Sequence, residues 1–464
     1  MADKPGWRVR DVHVHGLRHT RESVVLQELA PLRTCGTTLR EIGMACKKVA
    51  ESLQALGAFD GAEVLIDTPS ASGGETIADV VVTVNEKKRL SSASAGVSTS
   101  AGESSLDGNF SLHNTFGHAE RIDLNMELGE QKSTLLRLAA TRPRFMGMDA
   151  QLVADLSKSS TSHLKHSSFI EKLLGGSVGL QVGTADSPEG MHEFGYQIRG
   201  RNVCKVDPAC ASWSVLQQRG HSQKSAVTYT YKQQDLDHPL APTRGTSLQL
   251  STEVAGVLPI PLGDVRFIKQ SLSAAAIFPV LGASSRLALS LSLDAGLLVP
   301  FGSTPRGRES SICDRFFLGG PGSLWGFRTR GCGLREYRHT SALTGPAAPA
   351  AAEGRATPRD SLGGDVMCAS TVRLSCALPG KLEQLGMRAH AFASLGGLAS
   401  LASSAAAASG GLGAPMFRLC GGVGVAMPTA LGRLEVNLTH AARRRPEDAV
   451  VRNGLQVGLS PGLG

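Results

Sequence analysis

Four arginines, at 315, 328, 330 and 335, are the residues of this 464-residue chain whose type and spacing point most directly to chemistry. They flank Phe316, Phe317, Leu318, Leu324, Trp325 and Phe327 in a stretch, Asp314 to Arg335, that also holds six glycines. Guanidinium groups beside packed rings make charge-assisted bonds to carboxylates. Glycine this dense lets the backbone fold closely, while so much apolar surface is out of place on a solvated loop. The pattern predicts a long loop folded into a cavity, with its aromatics packed and its arginines paired. An ordinary Gly-rich turn is the competing reading.

Other candidates carry less. His13 and His15 share a strand face with His19 nearby, which suits a metal on paper. Without a fourth ligand at sensible spacing they read as exposed strand histidines, and no metal or cofactor is assigned. Nine cysteines are scattered with no Cys-x-x-Cys; Cys204 and Cys210 are near enough in sequence for a disulfide, but free thiols are the preferred reading. Hydrolase, Walker A, Rossmann and zincin motifs are missing. The carboxylates fall mostly at alternating strand positions, as a hydrated lumen would have them. The chain reads as a non-enzyme.

The net charge of +8 is spread thinly, and the single dense basic run is Arg443-Arg444-Arg445, which argues against a nucleic-acid binder. The first residues, Met-Ala-Asp-Lys-Pro-Gly-Trp, carry no apolar core of a secretory signal. No 18-residue apolar run exists, so a membrane form must be a closed barrel.

The elements that would position the loop fall into two textures. Residues 1–89 read as a small α+β domain. Val12 and Val14 lie on a first strand, and Thr20 is the expected cap of a first helix carrying Val25, Leu29 and Leu32. Thr38-Leu-Arg-Glu41 is a capping box opening a second helix that stops at Gly57. Strands near 62–67 and 79–85 follow.

From residue 90 the period becomes two. Arg121 to Leu128, Arg286 to Asp294 and Arg433 to Thr439 alternate polar and apolar. About sixteen candidate strands can be counted, centred near 96, 110, 124, 137, 153, 178, 196, 228, 250, 271, 290, 372, 390, 420, 436 and 456, an even number suited to an antiparallel membrane barrel. Periodicity alone does not separate such a barrel from a soluble sandwich. Aromatic content of 5% makes for thin interfacial girdles. The long connection 300–363 interrupts the series; it holds an Ala/Pro/Gly-rich tract (345–354), and a second such tract spans 398–413.

Phe316 to Phe327 resembles the loop signature F-x-L-G-G-x-x-S-x-R-G-F of the outer-membrane β-barrel assembly (BamA-like) superfamily, and Phe-Phe-Leu-Gly-Gly-Pro is closest to its mitochondrial sorting and assembly branch. Residues 1–89 resemble one POTRA (polypeptide-transport-associated) domain, and Asn114-Thr-Phe-Gly-His-Ala-Glu120 resembles the family's early barrel. The resemblance implies an all-β transmembrane barrel at 90–464, with loop 300–363 entering its lumen. It implies an insertase of the mitochondrial outer membrane, working on unfolded β-barrel precursors with membrane lipids and accessory subunits of an assembly complex, and without cofactor or nucleic acid. A polypeptide-translocating channel of a plastid outer envelope, or a passive pore, is the alternative.

The signature residues carried over are Phe317, Leu318, Gly319, Gly320, Ser323, Trp325, Gly326 and Phe327, with Arg328 and Arg330 beside them. Trp325 stands where the family has the arginine that pairs with the barrel wall. Arg328 or Arg330 is expected to supply that charge, with Asp365 as a partner. A lateral gate is expected between the first strand (Ser94, Ala95, Gly96, Val97) and the last (Gln456, Val457, Gly458). The first strand has almost no bulky apolar side chain, and Gly458, Pro461 and Gly462 limit pairing of the last, although frayed termini would look the same.

Overall fold

The computed structural model describes residues 8–33, 38–67, 77–87, 91–100, 103–207, 210–238, 240–256, 263–280, 286–302, 310–339, 359–401, 417–429 and 432–460. The tracts at 345–354 and 402–413, Pro461 and Gly462 fall outside them. The chain forms two compact units, residues 1–94, 109–125 and 138–155, and residues 95–108, 126–137 and 156–464.

In the first unit, β1 (Arg8–His15), β2 (Phe59–Asp67) and β3 (Ile77–Glu86) form a sheet ordered β1-β3-β2, with β1 parallel and β2 antiparallel to β3. Helices α1 (Glu22–Glu28), α2 (Ala30–Arg33) and α3 (Leu39–Ala55) accompany it. The α3 capping box forms in full, with Thr38 and Glu41 bonded both ways. Gly57 sits at φ +73° just past the helix, as its stop. Ile42, Val49 and Leu53 of α3 meet Val80, Val82 and Val84 of β3 in one core, so the helical and strand periods face each other.

Thr20 does not cap α1. The N-cap is Arg21, which makes no side-chain bond to the helix. Thr20 is buried instead: its N–H donates to Glu86 (2.8 Å) and its hydroxyl accepts from Asn114 Nδ2 (2.8 Å). A hydroxyl with a buried amide partner is spoken for before it can turn back to its own helix. His19, weighed above as a metal ligand, places Nε2 3.0 Å from the Thr115 carbonyl.

Sixteen strands form one sheet. They are β4 (Ser91–Ser100), β5 (Glu103–His113), β6 (Arg121–Gly129), β7 (Thr134–Arg142), β8 (Ala150–Ser162), β9 (Ile170–Val182), β10 (Met191–Cys204), β11 (Gly220–Leu236), β12 (Gly245–Ala255), β13 (Phe267–Pro279) and β14 (Leu287–Pro300). After a small hairpin, β15 (Leu334–Tyr337) with β16 (Arg359–Gly363), come β17 (Val366–Ala377), β18 (Arg388–Ala399), β19 (Phe417–Thr429), β20 (Gly432–Arg443) and β21 (Leu455–Ser460). The order is sequential, with β14 paired to β17 and with β4 and β21 at its two ends. Every strand centre expected from the alternation falls within an observed strand; the β15–β16 hairpin inside the long connection was not foreseen.

Which face is buried settles what periodicity left open. In β20, Glu435, Asn437 and Thr439 are buried, while Val436 and Leu438 between them are 40% and 58% exposed. Leu291 and Leu293 of β14, and Leu455 and Val457 of β21, are exposed in the same way. Apolar out and polar in is a membrane barrel rather than a sandwich. No helix among the described residues is long and apolar enough to cross a bilayer; strands do the crossing.

Candidate functional site

The stretch 310–339 touches the inner faces of β10, β11, β13, β14, β18, β19 and β21, which is possible because the sheet curls round it. Its first anchor is ionic. Asp314 is 2% exposed and accepts both arms of the Arg201 guanidinium from β10, at 2.7 and 2.8 Å. Lys224 of β11 reaches the same carboxylate at 3.3 Å and also pairs with Glu253 of β12, which accepts from Gln197 Nε2 (2.7 Å). Lys269 of β13 donates to the Asp314 carbonyl (2.8 Å) and lies 4.5 Å from the Phe316 ring centre. The loop therefore supplies the acid and the wall supplies the cations.

The segment then folds on itself. Phe316 pairs with Gly364, and Leu318 with Cys332, through backbone bonds. The Ser323 hydroxyl accepts from the Gly319 N–H at 3.4 Å, and the Gly320 N–H donates to the Leu324 carbonyl at 3.0 Å. Leu318, Leu324, Trp325 and Phe327 are buried with Phe392 and Cys420 of the wall. Gly326 at φ +84° needs to be glycine twice over: a side chain is strained there, and an added Cβ would lie 2.5 Å from Cys420 Sγ.

The second anchor is the last strand. Gln456 of β21 accepts from the Gly326 N–H (2.6 Å) and donates to the Phe327 carbonyl (2.9 Å), so one side chain holds two successive residues of the loop. Gly458, two residues on, lies where a Cβ would meet Pro321 (2.6 Å) and Trp325 (2.9 Å). Gly458 still pairs with Glu435 of β20; its lack of a side chain admits the loop.

These contacts correct the expected charge replacement. Trp325 is 5% exposed, its ring 6.3 Å from that of Phe392. Two acids share its cavity: Glu435, already held by Arg373 and Arg433, and Asp294, which accepts from the Ser273 hydroxyl at 2.7 Å. Arg330 stacks on Phe317, 4.2 Å from the ring centre, and Arg328 is exposed. Asp365 takes the Ser400 hydroxyl and the Leu401 N–H, both at 2.9 Å, along with the Ser310 hydroxyl. Neither Arg328 nor Arg330 ion-pairs with a carboxylate among the described residues. The loop arginine that does approach Asp365 is Arg315, with Nε 3.9 Å from the carboxylate, and the Asp314 cluster adds an anchor in which the loop supplies the acid. Arg201, Lys224 and Lys269 stand on the polar face of their strands, and that parity was the signal available in the sequence.

Of the expected gate residues, Ser94, Ala95, Gly96 and Val97 lie on β4, and Gln456, Val457 and Gly458 on β21, the two ends of the sheet order. Gln456 and Gly458 face the loop; Val457 between them faces outward. Cys204 and Cys210 are both free thiols.

Comparison with known proteins agrees with this geometry. The chain is 28% identical over 463 residues to a SAM50-like protein of Schizosaccharomyces pombe, covering 97% of this chain and 89% of that one. It is 28% identical over 408 residues to the human sorting and assembly machinery component 50 homolog, covering 85% of this chain and 76% of that protein. The fold matches BamA from Haemophilus ducreyi lacking POTRA domains 1–3, with a TM-score of 0.75 at 17% identity over 97% of this chain and 83% of that one. Residues 114–460 match the Omp85 superfamily domain, and the chain belongs to that superfamily.

Proposed function

We propose that this chain is the barrel subunit that folds β-barrel precursors and inserts them into the mitochondrial outer membrane, through a lateral opening between β4 and β21. The observation that carries the reading is the signature loop seated against β21 by Gln456, at one end of a sheet whose other end, β4, is poor in bulky side chains. An edge with free backbone groups templates an incoming strand, and small side chains make the seam between the ends weak. The sorting and assembly machinery relatives support both the activity and the membrane. Residues 1–89 act as a single POTRA-like domain, 90–464 as the barrel, and 300–363 as its lumen loop. The partners are unfolded β-barrel precursors, membrane lipids and the accessory subunits of an assembly complex.

The test is a photo-crosslinker at Val97 and at Val457, exposed apolar residues of the two end strands, in mitochondria importing a β-barrel precursor. Insertion through the seam gives client adducts at both positions. Adducts confined to lumen positions such as Asp294 would point to a translocating channel instead.

A further inference from the structure

The connection from β20 to β21 and the end of the signature stretch enclose a cavity of about 1100 Å³, lined by Arg328, Arg335, Arg359, Arg444 and Arg452. Two acids stand in its wall, and both are committed elsewhere. Asp448 is gripped by Arg418 at 2.9 Å, both side chains fully buried, and accepts the Arg445 N–H at 2.7 Å. Glu447 is paired with Arg445 at 3.8 Å. Among the described residues, no ion pair joins any of the five lining arginines to a carboxylate.

Two of the five are nonetheless held firmly. Arg335 donates from Nη1 to the Glu447 carbonyl (3.2 Å) and from Nη2 to the Arg359 carbonyl (3.0 Å), while its Nε is buried without a partner. Arg359 lies 4.2 Å from the centre of the Tyr337 ring and donates to the Tyr337 hydroxyl. Carbonyls and a ring orient a guanidinium without neutralising it. Like charges drawn together in a partly enclosed space repel, and a lone cation keeps an unmet demand for an oxyanion.

We propose that this cavity binds a phosphate group. Its tetrahedral oxygens and up to two negative charges suit several converging arginine forks better than a carboxylate does. Arg335 and Arg359 are the fixed donors, and Arg328, exposed at the end of the signature, closes over the anion. The phosphate comes either from solution or from the headgroup of an anionic phospholipid. Binding at this site is read directly, without client insertion as a readout, so its failure and that of the proposed function are distinguishable.

The full-length chain is reconstituted in two ways. In zwitterionic detergent it is titrated with inorganic phosphate by calorimetry; in nanodiscs containing phosphatidylglycerol, retained lipid is counted by native mass spectrometry. The wild-type chain is expected to bind in at least one arm, and the Arg335→Gln/Arg359→Gln double variant to bind at least tenfold more weakly. Arg286→Gln, whose partner is the exposed Glu383, is expected to bind as wild type. Saturation by inorganic phosphate identifies a soluble ligand, and retention of lipid alone identifies a headgroup. Should the double variant fail to show the heat-modifiable mobility of a folded barrel, the exposed Arg328→Gln replaces it, with weakening of about threefold expected. Absence of binding in both arms, equal binding by wild type and variants, or binding of an acidic peptide but not of phosphate overturns the proposal.

Discussion

The three-stranded sheet and the sixteen-stranded barrel sheet obey one alternation and bury opposite halves of it. In β3, Val80, Val82 and Val84 turn inward against α3. In β20, Val436 and Leu438 turn outward, while Glu435 and Asn437 are the buried ones. A period of two says that a strand has two faces; the medium on each side decides which face is inside. Around the three-stranded sheet water is outside and the side chains supply the apolar phase. In the barrel, lipid supplies it, and the interior is held by ion pairs and hydrogen bonds.

The largest effect should come from removing a charge from that interior. Asp314→Ala leaves Arg201 without its carboxylate and Lys224 with Glu253 alone, while Lys269 keeps only the carbonyl of residue 314. Breaking a buried pair of this kind costs about 3–5 kcal/mol. The expected outcome is loss of the heat-resistant barrel band and protease cleavage between 314 and 335. A wild-type denaturation midpoint would mean that the apolar cluster alone seats the loop.

Next in size is the direct test of inversion. Leu293→Arg, on the outward face of β14, is expected to cost about 2–4 kcal/mol at bilayer mid-depth. Ser292→Arg, one residue away on the inner face, is expected to cost far less, as read by unfolding in liposomes. Equal costs would break the comparison. Gln456→Ala removes two hydrogen bonds to the loop, worth about 0.5–1.5 kcal/mol each, and a longer one from the Thr439 hydroxyl. It should raise protease access to the loop while the barrel stays folded.

The smallest effect concerns the first unit. Against the burial that would raise it, the Thr20 and His19 N–H groups hold the Glu86 carboxyl below its ordinary 4.5. A depressed folded pKa contributes stability above the unfolded value and loses it as pH falls through the folded one. The helical circular dichroism signal should therefore melt earlier as pH drops below about 4.5, and Glu86→Gln should blunt that dependence. An unchanged acid response in the variant would move the effect to another carboxylate.

Much of this was legible in the chain because local periodicity survives whatever lies outside. The sixteen strand centres, the Thr38–Glu41 capping box and the Gly57 stop all came from neighbours in sequence. Long-range partners were not legible. Thr20 looks like a cap until Asn114 and Glu86 claim it, and Asp365 looks available to Arg328 or Arg330 until Ser310, Ser400, Leu401 and Arg315 occupy it. Asp314 opened the signature stretch unnoticed, because its three cations are about 45, 90 and 113 residues away. Gln456 was read as a residue of the seam, and nothing nearby in sequence said that it also binds the loop.

That double attachment makes the position of β21 and the seating of the loop a single equilibrium. Neighbouring strands are spaced about 4.8 Å apart, so moving β21 aside by even one strand width takes Gln456 beyond hydrogen-bond range of Gly326 and Phe327. Whatever shifts one of these states must shift the other by the same free energy. Any displacement of β21 would therefore be registered in the lumen, and a ligand that tightened the loop would make β21 harder to move.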